Sequence, residues 1–328
     1  MDEDEKRCRL CLGDEDGGPL VQPCACRGSA KFIHKACLEK WRRTSQREDA
    51  AYRCGQCMDK YRDALSIELL SERLEAKRAN GQRIGFTLGT LGTELSAQGK
   101  YDEAEPLYRE ALEVRRETLG DRHPHTLVCI NNLGTLLQRK GDFAAAEPRF
   151  REGLEAQREI LGDRHPSTLT CMNNLGVILR LKGDLAAAEP LCREALEAQR
   201  ETLGNLHPST LTSISSLSEL LKDQGDLAAA EPLCREALEA RRETLGNLHP
   251  STLTSICRLS ELVKAKCDLA AAEPLCREAL EARRETLGER HPDTLTSIGN
   301  LGRLLMLQAK VKLLVLDDID KGDAIRRC

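Results

Sequence analysis

Within the first sixty residues, cysteine and histidine fall into four short pairs: Cys8 with Cys11, Cys24 with Cys26, His34 with Cys37, and Cys54 with Cys57. Two residues separate the members of each pair, except that Cys24 and Cys26 flank Ala25 alone. Zinc takes four nitrogen or sulfur donors in a tetrahedron, and a pair this close supplies two of them from one turn of chain. Four pairs therefore call for two zinc ions. If alternate pairs share a metal, a cross-brace, Cys8, Cys11, His34 and Cys37 hold one ion and Cys24, Cys26, Cys54 and Cys57 the other. Two sequential fingers would join neighbouring pairs instead, but the single-residue gap at Ala25 and the interleaved His34 favour the brace. So short a segment has little core, and each zinc contributes on the order of 10 kcal/mol to folding such a domain. The metals decide whether it folds.

Composition bounds what surrounds these pairs. The 328 residues leave room for two domains, or for one domain and a repeat array. Charged residues make up 31% and aromatics 3%, with a formal net charge of -4, so the basic excess of a nucleic-acid surface is missing. Abundant Ala, Leu, Glu and Arg point to helices rather than a β-sandwich. No apolar run approaches the ~18 residues of a membrane-spanning helix. The acidic start, Met1 to Glu5, lacks the basic and apolar regions of a signal peptide. The fifteen cysteines are therefore expected in a reducing, cytoplasmic setting, as thiolates on metal or as thiols.

From about residue 86 the chain repeats every 42 residues, marked by His-Pro at His123, His165, His207, His249 and His291. Each copy reads as two helices. Helix A runs from the Thr-Leu after His-Pro, as in Thr126 to Gln138. Gly-Asp, as at Gly141-Asp142, breaks the chain and caps helix B. Helix B, from about Phe143 to Leu161, stops at Gly162. Helices of this length are marginal alone, so each pair must bury its apolar face on the next. Cys192, Cys234 and Cys276 recur where Tyr108 and Phe150 stand in other copies, which marks a packing position. The histidines, in turns 42 residues apart, are expected to cap or pack, and Arg115-Arg116, Arg241-Arg242 and Arg283-Arg284 to form a solvated face.

The residues around the zinc pairs carry a resemblance. Leu10 before the second ligand, the run from Pro23 to Ser29, and Trp41 four residues after Cys37 resemble the RING-CH zinc finger of MARCH-type ubiquitin ligases, over about residues 7 to 57. A PHD finger shares the ligand order but places an aromatic, usually Trp, two residues before the seventh ligand, where this chain has Tyr52. The repeats resemble the 42-residue tetratricopeptide repeats of kinesin light chains and nephrocystin-like proteins. Asn132 to Gly134, Asn174 to Gly176, and the Gly-Asp and Ala-Glu-Pro-Leu segments carry that likeness.

The first resemblance implies two structural zinc ions and transfer of ubiquitin to a substrate lysine from a ubiquitin-conjugating enzyme, without a covalent intermediate on this chain. Leu10, Leu38 and Trp41 would form the apolar groove that docks that enzyme. Many active RING ligases carry a cation just after the last ligand, where this chain has Met58. MARCH-type ligases usually have transmembrane helices, whereas this sequence shows no apolar run of that length, so membrane residence is not carried over. The second resemblance implies A helices lining a concave groove, with Asn131, Asn132, Asn173, Asn174 and Asn300 facing an extended peptide or else only satisfying helix-end groups. Ser215-Ser216 and Cys257-Arg258 interrupt that ladder.

The expected fold is mainly α: a small cross-brace two-zinc domain followed by an α-solenoid. The boundaries read 1–60 for the zinc finger, 61–85 for a helical linker or half-repeat cap, 86–310 for five repeats plus a final helix, and 311–328 for a tail. A soluble ligase whose repeats recruit the protein substrate is the first expectation. A non-enzymatic zinc-binding adaptor is the alternative.

Overall fold

The computed structural model describes residues 7–12, 19–24, 26, 32–45, 47–58, 61 and 65–320. The acidic start from Met1 to Glu5, Ala25, the part of the small-residue run from Arg27 to Ser29, Ala64, and the tail beyond residue 320 with Cys328 lie outside the described residues. The chain forms two compact units, Met1–Arg149 and Phe150–Cys328.

The first unit opens with the zinc-pair segment. Strands β1 (Leu20–Val21) and β2 (Ile33–His34) pair antiparallel, Leu20 opposite His34 and Val21 opposite Ile33. Helix α1 (Lys35–Thr44) follows β2 without a break, and a 3₁₀ turn spans Glu48–Ala51. Ile33, Leu38 and Tyr61 form the apolar centre, with Leu20, Val21 and Trp41 packed on it. So small a core cannot hold the segment alone.

Helix α2 (Leu65–Ala79) is fastened to this module by arginines. Arg42 of α1 is fully buried. Its guanidinium lies 4.4 Å from the centre of the Tyr61 ring, donates to the Ser66 hydroxyl at 2.9 Å, and donates to the Ala51 carbonyl. Arg43 pairs with Glu68 and Glu72 of α2. In return Arg73 of α2 donates to the carbonyls of Arg42 and Arg47, each at 3.0 Å. A buried guanidinium is tolerated only when its donors are used. Here they close the end of α1 against α2, and α2 packs on α3 (Gly85–Ala97).

Five helix pairs and a final helix follow. In the first unit α3 pairs with α4 (Tyr101–Leu119), followed by α5 (Pro124–Lys140). Helix α6 (Phe143–Leu161) carries the division between units. The second unit holds α7 (Pro166–Leu181), α8 (Leu185–Leu203), α9 (Pro208–Asp223), α10 (Leu227–Leu245), α11 (Pro250–Ala265), α12 (Leu269–Leu287) and α13 (Pro292–Asp320). Neighbours in sequence pack on each other, as α7 does on α8 and α8 on α9.

Local chemistry sets the helix ends. The A helices start two residues earlier than the Thr-Leu pattern indicates, because the His-Pro marker is itself the start. His165, His207 and His249 are N-caps whose Nδ1 accepts the N–H of Ser167, Ser209 and Ser251 at 3.1–3.2 Å. Proline takes the next position, where a missing N–H is harmless. Asp184, Asp226 and Asp268 cap the B helices. Gly204, Gly246 and Gly288 end them at φ 85 with ψ 165–168, a region that only glycine enters freely. The tail expected from residue 311 begins instead as helix, because α13 continues unbroken to Asp320.

The packing reading of the cysteines agrees with their burial. Cys192, Cys234 and Cys276 are buried, as is Tyr108 at the matching place in the first unit. The solvated reading of the arginine pairs needs correction. Arg241 is 8% exposed and donates to Ser215 Oγ and Leu211 O, each at 3.0 Å, and to Ser255 Oγ. Arg283 turns the same way, to Ser297 Oγ at 2.7 Å, and Arg115 to the His125 carbonyl at 2.7 Å. Among the described residues, it is the second member of each pair that meets an acid, as Arg242 does Glu278. A step of one residue rotates a helix by about 100°, which sends the two members of a pair to different surroundings.

Before α12 the breaker is Cys267-Asp268, and Cys267 holds φ 62 where Gly183 and Gly225 stand in earlier copies. A left-handed residue with a Cβ is disfavoured by roughly 1–2 kcal/mol, partly offset because glycine loosens the unfolded chain. Cys267→Gly should therefore raise stability by about 0.5–1 kcal/mol, read as a higher urea midpoint. An unchanged or lower midpoint would show that the turn is not strained.

Candidate metal centre

The eight donors gather into two groups. Cys8, Cys11, His34 and Cys37 form one, and Cys24, Cys26, Cys54 and Cys57 the other, with the ligand atoms of each within 4.8 Å of one another. Alternate pairs meet, as a cross-brace requires; neighbouring pairs do not.

Each pair is presented by a different local device. Cys8 and Cys11 sit on a tight turn closed by Leu12 N–H to Cys8 O at 2.8 Å, with Leu12 at φ 62. Cys54 and Cys57 repeat it, with Met58 N–H to Cys54 O at 3.2 Å and Met58 at φ 58. His34 ends β2, and Cys37 lies in the first turn of α1, so one strand-to-helix junction delivers both. The β1–β2 pairing then fixes the spacing between this junction and Cys24.

The distances suit zinc. Zn–S bonds of ~2.3 Å at tetrahedral angles place sulfurs roughly 3.8 Å apart, and Cys26 and Cys54 sulfurs stand 3.7 Å apart. His34 turns Nδ1 inward, 3.2 Å from Cys11 Sγ and 3.8 Å from Cys37 Sγ. One donor set is therefore three sulfurs with an imidazole nitrogen, and the other is four sulfurs. Both are closed, structural types rather than sites that activate water.

Two thiols are readied by the backbone. Burial alone would raise Cys8, but the N–H groups of His34, Cys11 and Leu10 outweigh it and bring it down to about 6. At Cys54 burial is likewise outweighed by N–H groups of Cys57 and Gln56, again to about 6. Burial pushes Cys24 up to about 12 and Cys37 up to about 11. A divalent ion would supply the charge that ionises thiols which burial holds up, such as Cys24 and Cys37.

Arg9 is a member of this centre that motif reading missed. It sits between Cys8 and the docking candidate Leu10, yet its guanidinium crosses to the second group. It lies 3.2 Å from Cys26 Sγ, 4.0 Å from Cys24 Sγ and 3.5 Å from Cys54 Sγ. Four thiolates on zinc carry a net double negative charge, and a guanidinium donating to three of the sulfurs offsets part of it. A cation inside the first ligand pair is the sequence signal, and it is weak.

The docking candidates separate. Leu10 is 45% exposed, Trp41 is half-buried, and Leu38 is 3% exposed within the apolar centre. Leu38 spends its surface on the core, which is the face α1 must bury. Among the asparagines, Asn131 and Asn132 lie on α5 of the first unit, half-buried. In the second unit Asn174 and Asn300 are half-buried, while Asn173 is 3% exposed, closed off from any peptide in this conformation.

Residues 8–57 match the RING-variant domain, and residues 84–159, 130–201, 173–231 and 252–293 match the tetratricopeptide repeat. This chain joins a RING-variant domain to tetratricopeptide repeats. Over 99 residues it is 40% identical to the E3 ubiquitin-protein ligase MARCHF5 of Xenopus laevis, covering 26% of this chain and 35% of that protein. Over 39 residues it is 46% identical to MARCHF8 of Homo sapiens, covering 12% of this chain and 13% of that protein. The chain thus spans about a third or less of the length of these curated relatives. The crystal structure of BtubC (BKLC) from P. vanneervenii matches with a TM-score of 0.55 at 24% identity, covering 69% of this chain and 92% of that one. A Podosopora anserina structure of nearly identical TPR-like repeats, described as kinesin light chain, matches with a TM-score of 0.52 at 22% identity, covering 65% and 97%. These two likenesses concern the fold of the repeats.

Native mass spectrometry should find two zinc ions on the RING-variant domain. Arg9→Met should weaken one of them by ~10–100-fold, the usual effect of removing a group that supports metal ligands, and His34→Ala should remove the other. Equal loss of both ions from Arg9→Met would disprove its assignment to the four-sulfur group.

Proposed function

We propose that this chain is a RING-type ubiquitin ligase acting without a covalent intermediate. The RING-variant domain would bind a ubiquitin-conjugating enzyme, and the repeats would recruit a protein substrate. The observation that carries the reading is the alternate-pair gathering of eight donors within a segment that matches the RING-variant domain, together with ligase relatives over the same segment. Two zinc ions would hold the domain rigid, Cys8, Cys11, His34 and Cys37 on one and Cys24, Cys26, Cys54 and Cys57 on the other.

In such a reaction a substrate lysine amine attacks the thioester carbonyl on the conjugating enzyme, and the enzyme's cysteine leaves as thiolate. The ligase gains rate by holding thioester and amine in a productive arrangement. Leu10 and Trp41 would supply the apolar contact, with Trp41 packed on the core that contains Leu38. The place after the last ligand is Met58, but Arg47 brings a cation to it: its Nη2 lies 3.4 Å from the Met58 sulfur, with Asp49 holding the guanidinium at 2.9–3.0 Å. In the repeats, Asn131 and Asn132 of the first unit, and Asn174 and Asn300 of the second, are the half-buried A-helix asparagines that would face a peptide backbone. The fifteen cysteines need a reducing compartment. Among the described residues, no helix is long and apolar enough to cross a membrane.

Met58 also motivates a second reading, an adaptor that binds a conjugating enzyme without activating it. Thioester discharge to free lysine separates the two. The zinc-loaded protein should speed discharge from at least one conjugating enzyme in a panel. Leu10→Ala and Trp41→Ala should each lose most of that gain, ~10-fold or more as expected of buried anchors, while keeping both zinc ions. Binding without faster discharge would favour the adaptor, and no effect from any enzyme in the panel would end the ligase reading.

A further inference from the structure

Beside the RING-variant domain, the first unit carries a groove with no carboxylate among the described residues that line it. It consists of two adjoining hollows of about 250 and 570 Å³ that share Lys77 of α2 and Phe86 of α3. Leu70, Phe86, Val114 and Leu119 give an apolar lining, with Phe86 50% and Leu119 40% exposed. Arg73, Lys77, Arg83, Arg115 and His125 stand among them.

The groove exists because the first repeat lacks the marker of the others. Gly81-Gln82-Arg83-Ile84 occupies the place of His123-Pro124-His125-Thr126. In the later copy Thr126 is buried and its hydroxyl binds Gly120 O at 2.8 Å, closing the turn. Ile84 cannot do this, and α3 begins without a side-chain cap. Its first N–H groups add positive potential at the same end.

Charge pairing also differs along the larger hollow, whereas in the smaller one Arg47 is paired with Asp49. Elsewhere in this unit cations meet acids: Arg109 binds Glu105, Arg116 binds Asp121, and Lys140 binds Asp102 and Glu105. Arg115 instead spends its donors on the Gly85 and His125 carbonyls at 3.3 and 2.7 Å. Arg83 is exposed and has no hydrogen bond or ion pair among the described residues. Arg83 and Arg115 beside an exposed apolar floor complement a ligand that is acidic and apolar together. Phosphate and the backbone of a duplex would use the cations but leave Phe86 and Leu119 in water.

We propose that this groove binds extended acidic protein segments, placing apolar side chains over Phe86 and carboxylates against Arg83 and Arg115. This rests on the ligase reading in one respect: it names the substrate class that would be held beside the RING-variant domain. Binding itself requires no transfer.

The test is fluorescence anisotropy with full-length, zinc-loaded protein and labelled peptides alternating Glu with Leu and Phe. Saturable binding should weaken with added salt. It should fall ~5-fold or more when Gln replaces Glu in the peptide, since each contact between an exposed cation and a carboxylate is worth up to ~1 kcal/mol. Phe86→Ala should weaken it ~10-fold, as removal of an apolar anchor does, and Arg83→Glu by a similar factor. Arg193→Gln on α8 of the second unit, which is not among the residues lining the groove, should leave binding unchanged, and thermal melts should show all three variants folded. Absence of saturable binding, indifference to Gln for Glu, or stronger binding of single-stranded RNA or anionic vesicles would overturn the proposal. Retained peptide binding alongside failed thioester discharge would remove the ligase reading and leave the groove standing.

Discussion

No element of this chain can bury enough surface by itself. Aromatics make up only 3% of the residues, and the strands of the RING-variant domain are two residues long. Isolated helices of 13 to 19 residues are marginal in water. Every element must therefore be completed by another that lies elsewhere in sequence. In the RING-variant domain the completion is made by donors: the turn at Cys8 and Cys11 is finished by His34 and Cys37, and the turn at Cys54 and Cys57 by Cys24 and Cys26. In the repeats it is made by apolar faces, with α4 completed by α3 and α5, and α8 by α7 and α9.

These two kinds of completion meet at α2. It carries no ligand, and no His-Pro marker precedes it, yet it is bonded on one side to Arg42, Arg43 and the Arg47 carbonyl and packs on α3 on the other. Exposed ion pairs such as Arg43 with Glu68 contribute little each. The buried Arg42 differs, since its guanidinium has Ser66, Ala51 and the Tyr61 ring as partners in place of water. Losing one of those partners would leave a charge stranded in the core, which is far more costly than losing a surface pair. A single buried cation thus couples the end of α1 to the start of α2. Orientation of the RING-variant domain against the first repeat follows from that joint rather than from a flexible spacer.

The features legible in the sequence were those fixed by spacing along the chain. Donor pairs one or two residues apart, a 42-residue period and Asp after a breaker each act within a single turn, so local order suffices to show them. What stayed hidden depends on which neighbour a side chain meets. Arg9 carries no mark of its role until the fold brings Cys24, Cys26 and Cys54 to it. Leu38 reads as a docking residue by likeness, but the face of α1 that carries it is the face turned to Ile33 and Tyr61. The His-Pro marker showed that a turn was present, yet the capping bond from the imidazole moved the helix start back to the proline.

The inner positions of the second unit argue that its copies are not interchangeable. Arg241 reaches back 26 residues to Ser215 and forward 14 to Ser255. One repeat earlier the same offsets join Gln199 to Asn173 and Ser213. A shorter side chain at 199 thus goes with a longer one at 173, and the long Arg241 with the small Ser215, as expected if the space between helices is held roughly constant. The chemistry is not constant. The earlier set is neutral, with the Gln199 and Asn173 carbonyl oxygens and the Ser213 hydroxyl buried without a hydrogen-bond partner. The later set carries a cation whose charged form burial disfavours. Each buried, unsatisfied oxygen costs about 1–3 kcal/mol, whereas the Arg241 layer uses its donors in three bonds but carries the cost of a desolvated cation. A uniform ladder of asparagines would need the same inner surface in every copy. In this unit adjacent copies differ in charge, reach and hydrogen-bond satisfaction, so any peptide along it would be read differently at each repeat.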